Sequence, residues 1–163
     1  MSLVKSTNFD TATELTEPNT FSHLFYENTH LKSHPSNQLL LPATTLTACC
    51  YHSMFYGCTA LTKAPELPAT TLANSCYSHM FGSCVALKIA PELLAPTLEL
   101  GSYINMFSNC SKLEYVKCLA MNNINKIMIL GFLRGVSSTG TFVKASGAFW
   151  GTNIPPGWTI VEE

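Results

Sequence analysis

Seven cysteines and the histidines at 52 and 79 are the side chains here whose types suggest chemistry. A thiolate beside an imidazole is a nucleophile, and clustered thiols and imidazoles hold zinc. Both need particular spacings. A zinc site needs closely spaced ligands such as Cys-x-x-Cys, and the chain offers only the adjacent pair Cys49-Cys50. A Cys–His nucleophile needs a third group to orient the base, and none is suggested. His52 and His79 stand 27 residues apart, out of step with the period that governs the rest of the chain. The expectation is therefore no metal, no cofactor, no catalytic residue and no enzymatic activity.

That period is 26 residues. Leu41-Pro-Ala-Thr-Thr-Leu46 returns as Leu67-Pro-Ala-Thr-Thr-Leu72. Met54-Phe55 returns as Met80-Phe81 and Met106-Phe107, and Tyr51 as Tyr77 and Tyr103. Cys58, Cys84 and Cys110 form one ladder, and Cys50 and Cys76 belong to another. Pro65-Glu66 recurs as Pro91-Glu92 and is then replaced by Lys117-Cys118. A degenerate unit precedes these, with Leu24-Phe25-Tyr26, Asn28 and Leu31 at an offset of 30. Asn28 there takes the cysteine place. A fixed period of this size means stacked coils, each burying its apolar face against the next.

The ladders also answer for the cysteines. Ladder positions face the core, where cysteine is a small hydrophobe, so reduced and buried thiols are expected. Helices pack about 8–10 Å apart, too far for a disulfide between Cys50 and Cys76, which needs Cα atoms within about 7 Å. The 58/84/110 ladder lies nearer the strands, spaced about 4.8 Å apart, where a bridge is possible.

Within a repeat, apolar residues fall at 46, 50, 54 and at 51, 55, the i, i+4 spacing of an amphipathic helix. This predicts helices over 46–56, 72–82 and 98–108, with short strands following at 61–64, 87–90 and 113–116. Residues 125–134 are the expected final helix of a divergent last repeat. After Gly135 the composition turns to Ser, Thr and Gly with aromatic residues. Strands are expected over 141–144 and 158–161, closing as a capping hairpin in which Phe142, Phe149, Trp150 and Trp158 cover the stack end. The rival reading of those rings is a carbohydrate-stacking platform. The division expected is an N-terminal arm or cap over 1–20, a solenoid over 21–136 and a C-terminal cap over 137–163.

The register Met-Phe-x-x-Cys-x-x-Leu, followed by Pro and then Leu-Pro, resembles the BspA-like leucine-rich repeats of bacterial surface proteins. The match is close over 41–118 and weaker over 21–40. The tail, Gly140-Thr-Phe-Val-Lys144, Trp150 and Ile154-Pro-Pro-Gly-Trp-Thr-Ile160, resembles a segment that often closes such arrays. The resemblance implies an α/β leucine-rich-repeat solenoid with short parallel strands on one side and helices on the other. It also implies a cell-surface or secreted recognition or adhesion module without catalytic residues. The usual binding face is the concave sheet, whose outward side chains would be Thr62, Lys63, Lys88, Ile89, Glu114 and Tyr115. The expected partner is a protein or a glycan; the alternative is a structural spacer with no ligand. A monomer, or weak self-association through a sheet edge or stack end, is expected.

Composition bounds the rest. The 163 residues suffice for one core. With 12% charged residues and a net charge of −1, there is no basic stripe to hold nucleic acid. The most apolar run, 127–133, is too short to span a membrane. Met1-Ser-Leu-Val-Lys5 lacks the apolar core of a signal peptide. The chain is thus either cytosolic or begins after a removed export signal, and the resemblance favours the second.

Overall fold

The computed structural model describes residues 13–34, 36 and 39–163. Residues one repeat apart lie side by side, and the side chains that recur at 26 residues line one continuous core. Two ring ladders run through it. Phe25, Phe55, Phe81 and Phe107 stack with centroids 5.5, 5.4 and 5.7 Å apart. Phe21, Tyr51, Tyr77 and Tyr103 stack beside them at 5.7, 5.9 and 6.3 Å. Met54, Met80 and Met106 are buried between.

The expected helices over 46–56, 72–82 and 98–108 do not form; these residues are turns. Their backbone alternates between two duties. In the second coil the N–H groups of Cys50, His52, Met54, Tyr56 and Cys58 each donate to the carbonyl three residues back. Those of Cys49, Tyr51, Ser53, Phe55 and Gly57 donate across to Asn74, Cys76, Ser78, Met80 and Gly82 of the next coil. Every fourth residue has positive φ: Cys49, Ser53 and Gly57, then Ser75, His79 and Ser83, then Gly101, Asn105 and Asn109. A positive φ at the third place of a turn is the type II signature, and no α-helix survives it. The result buries two or three residues in each block of four and leaves the remainder half-buried. It also satisfies the backbone both within a coil and between coils, as buried polar groups require.

The 58/84/110 cysteines finish this turn side. Their Sγ atoms donate to the carbonyls of Phe25, Phe55 and Phe81 at 3.1, 3.1 and 3.0 Å, each reaching the coil before. All seven cysteines are free thiols. The last coil keeps one helical turn, α1 (Lys126–Ile129), where a helix over 125–134 was expected. Asn125 caps it by accepting from the Ile127 N–H at 3.0 Å.

The opposite side of each coil is extended. Parallel bridges join Ile89 to Tyr115, Leu93 to Cys118 and Thr97 to Asn122. Among the described residues continuous strands appear only towards the C-terminal end, as β1 (Tyr115–Cys118), β2 (Gly140–Lys144) and β3 (Trp158–Glu162). They lie in the order β1-β2-β3, and both pairings are parallel. The capping hairpin expected from the tail is therefore corrected: β2 and β3 run the same way, joined by a crossover through a 3-10 turn at Gly151–Asn153. Phe142, Trp150 and Trp158 are buried, and Trp150 and Phe142 extend the ring ladders, Trp150 lying 5.8 Å from Phe132 and 4.9 Å from Phe142. Phe149 does not join them; it is 83% exposed. Lys117 ties the chain end down, 2.9 Å from Glu163 and 3.6 Å from Glu92.

Of the expected N-terminal arm, residues 1–12 lie outside the described residues. Leu15 is buried, and its N–H donates to the Thr45 carbonyl at 3.0 Å, so 13–20 lead directly into the first coil. Among the described residues no helix is long and apolar enough to cross a membrane.

Candidate binding groove

Of the six side chains expected to form a recognition face, the structure brings four together. Thr62 and Lys63 of one coil and Lys88 and Ile89 of the next are exposed and wall a groove of about 410 Å³. Ala64, Pro65, Ala90 and Pro91 form its apolar floor, and Glu66 stands at its lip. Glu114 is exposed and Tyr115 half-buried, but both belong to the following coil and do not line this groove.

The groove exists because two coils part. On the turn side the second and third coils are bonded along their length. On the extended side no backbone hydrogen bond joins 62–66 to 88–92 among the described residues. The next junction is closed there: Ala90 donates to the Tyr115 carbonyl at 3.0 Å and Leu93 to that of Lys117 at 3.0 Å. A smaller pocket of about 280 Å³ adjoins the groove, shares Lys63, Ala64 and Pro65 with it, and adds Lys32 and Leu31. Ser33 stitches this junction by accepting from the Lys63 N–H at 2.8 Å and donating to the Lys63 carbonyl at 3.1 Å. On the other flank, Glu66, Glu92 and Leu94 line a cavity of about 360 Å³. The face thus runs from lysines to glutamates across an apolar floor.

The cysteines make no comparable site. Burial pushes the thiol of Cys50 up to about 11 and those of Cys110 and Cys118 to about 12, and raises Cys58, Cys76 and Cys84 as well. At neutral pH at most about one in a thousand of the Cys50, Cys110 or Cys118 thiols is ionised, too few for a nucleophile. Native iodoacetamide labelling at pH 7.5 should modify half-buried Cys49 alone, and unfolding should release the other six. Prompt native labelling of Cys84 or Cys110 would show that the ladder is open to solvent.

The same thiols set an alkaline limit. Folding raises their pKa, so the unfolded chain loses protons first. Their contribution is complete below about pH 8.5, the ordinary thiol value, and is lost as pH climbs toward 11–12. Urea midpoints should hold level to about pH 8 and fall steadily above 9. A level profile to pH 10.5 would contradict the burial.

Sequence spacing missed one cluster. His52 and His79 do meet, at 5.5 Å between ring centroids, and His23 joins them at 5.1 Å from His52. Their offsets of 29 and 27 hid the row, because the rings lean together from neighbouring columns rather than from one. Among the described residues no three His, Cys, Asp or Glu side chains are placed to hold a metal ion. No family model matches the chain, and no curated protein and no solved structure matches it either.

Proposed function

We propose that this chain is a non-enzymatic recognition module, a leucine-rich-repeat-like solenoid of the BspA type from a bacterial surface or secreted protein. Its ligand is a protein or glycan taken by the groove between the second and third coils. The observation that carries this is the parted junction itself, with variable side chains at 62, 63, 88 and 89 over a uniform floor of Ala-Pro pairs. A concave apolar surface with a few polar groups is the usual form of a ligand site. The lysine and glutamate flanks would orient a ligand carrying both charge and apolar surface.

The test is binding of the purified protein to arrays of glycans and extracellular-matrix proteins, beside a Lys63→Ala/Lys88→Ala variant. Both side chains are exposed, so the variant should keep its unfolding midpoint. A hit weakened tenfold or more in the variant supports the groove. A hit of unchanged strength moves the site elsewhere, and silence from a folded sample favours a spacer.

One observation supports that second reading. β3 is the outer strand of its sheet, and Ile160 and Val161 on it are exposed. An open strand edge is a template for pairing with another chain. A spacer would self-associate through it, and sedimentation of an Ile160→Lys variant would show the loss.

A further inference from the structure

The histidine row lies on the outer side of the turns, across three successive coils. His23 is exposed, and His52 and His79 are half-buried. Nδ1 of His23 is 2.8 Å from Ser22 Oγ, and Nδ1 of His79 is 2.9 Å from Ser78 Oγ. Nε2 of His79 is 3.1 Å from the amide nitrogen of Asn105. An amide nitrogen only donates, so Nε2 of His79 accepts and the ring proton sits on Nδ1, facing Ser78. Nδ1 of His52 is buried without a hydrogen-bond partner.

Each of these contacts suits a neutral ring. Protonating His79 would turn an N–H against the Asn105 NH₂. Asn105 could answer only by exchanging its amide ends, and its Oδ1 now fills the space beside Gly131 that a Cβ would take. Protonating His52 would leave a buried, charged N–H with no acceptor, a costly state. A charge on any ring also faces another imidazole about one ring-width away.

The other titratable groups here do not compensate. Arg134 adds a like charge beside His79. The stem of Glu27 lies over Gly57, and its carboxylate acts on Tyr26. Tyr26 and Tyr56 stack together at 5.2 Å, and Tyr26 lies 5.3 Å from His23. Burial holds His52 and His79 below the ordinary imidazole range, helped by His79 and His23 in the first case and by Arg134 and His23 in the second.

We infer that the His23–His52–His79 row is an acid-sensitive catch that closes the turn side of the first three coils at neutral pH and loosens it on acidification. The sign follows from linkage. The unfolded chain has ordinary histidines near pH 6.5 and takes up protons before the folded one. The contribution of His52 and His79 is therefore whole above about pH 6.5 and is lost as pH falls through their lowered folded values. The groove at 62–66 and 88–92 belongs to two of the coils so joined, which would couple ligand release to acid.

The experiment compares urea midpoints and amide hydrogen exchange at pH 7.5 and 5.0 for the protein and a His52→Asn/His79→Asn variant. In the unaltered protein the midpoint should fall. Protection of the Ser53, Met54 and His79 amides, corrected for intrinsic rate, should drop as His52 and His79 take up protons. The variant should show neither change. A level profile in the unaltered protein, or an equal fall in the variant, overturns the proposal. If the variant does not fold, imidazole resonances of the unaltered protein decide: titration of His52 and His79 below 6.5 supports the catch, and titration at or above 6.5 overturns it.

Discussion

Phe81→Ala should cost about 3–5 kcal/mol, the largest loss expected from any single ladder side chain. Phe81 is wholly buried, and its ring lies between those of Phe55 and Phe107 at 5.4 and 5.7 Å, with interplanar angles of 4° on both sides. Truncation removes the transfer free energy of the ring and leaves a cavity walled by two aromatic faces. Those faces cannot close, because the turn backbones of their coils are pinned by hydrogen bonds along the stack. A domain holds only about 5–15 kcal/mol in all, so the loss is a sizeable share of the whole.

The same substitution should change how the chain unfolds. In a stack of coils stability comes from nearest-neighbour interfaces, and Phe81 stands in the middle coil of the regular repeats. Weakening it should separate the coils before it from those after it. The urea transition should then broaden, with a lower m value and noncoincident signals from the N-terminal tyrosines and from Trp150 and Trp158. A loss below about 1 kcal/mol with an unchanged slope, as a surface change gives, would mean that the ring is not a member of the core.

The inward positions were legible because a 26-residue repeat leaves the ladder residues constant while their neighbours vary. Tyr51/77/103, Met54/80/106 and Cys58/84/110 are all buried. The backbone that carries them was not read from the same pattern. In a helix each i, i+4 step overshoots by about 40°, so 50, 54 and 58 drift off one face. Here the step is a true four, set by a turn of four residues. The signal lay in the third residue of each turn of the regular repeats, where, Cys49 apart, Gly, Asn, Ser and His gather at 53, 57, 75, 79, 83, 101, 105 and 109. Those are mostly types that tolerate positive φ, and none of them is apolar. The sense of the cap was legible in a loop length. Thirteen residues, 145–157, separate β2 from β3, which is long for a hairpin and right for a parallel crossover. The groove was half legible: spacing could place Thr62, Lys63, Lys88 and Ile89 on one face. It could not show that the coils part beneath them, since that depends on which backbone pairs fail to form.

Gly140→Ala should damage the C-terminal cap strongly. Gly140 opens β2 and pairs with Trp158. A Cβ there would stand 2.6 Å from the Glu114 carbonyl oxygen and 2.8 Å from the Trp158 ring. The first neighbour is backbone that bonds the Thr141 N–H at 2.8 Å, and the second is anchored by its Nε1 donating to the Ser137 carbonyl at 2.8 Å. Neither yields without breaking its own bond. The added methyl must therefore push β2 away from the coil it caps or unseat Trp158, at the upper end of the about 1–3 kcal/mol that overpacking costs. Gly147→Ala separates sterics from backbone conformation. Gly147 has φ of +77° and nothing within 4 Å of an added Cβ, so it should lose only the left-handed penalty of about 1 kcal/mol. Tryptophan fluorescence during urea unfolding reads both variants, because Trp158 is buried in the protein. Gly140→Ala should expose it in the native baseline or shift the midpoint well below that of Gly147→Ala. Equal midpoints and an unshifted native spectrum would mean that the approach of β2 to 114 and 158 is looser than the structure places it.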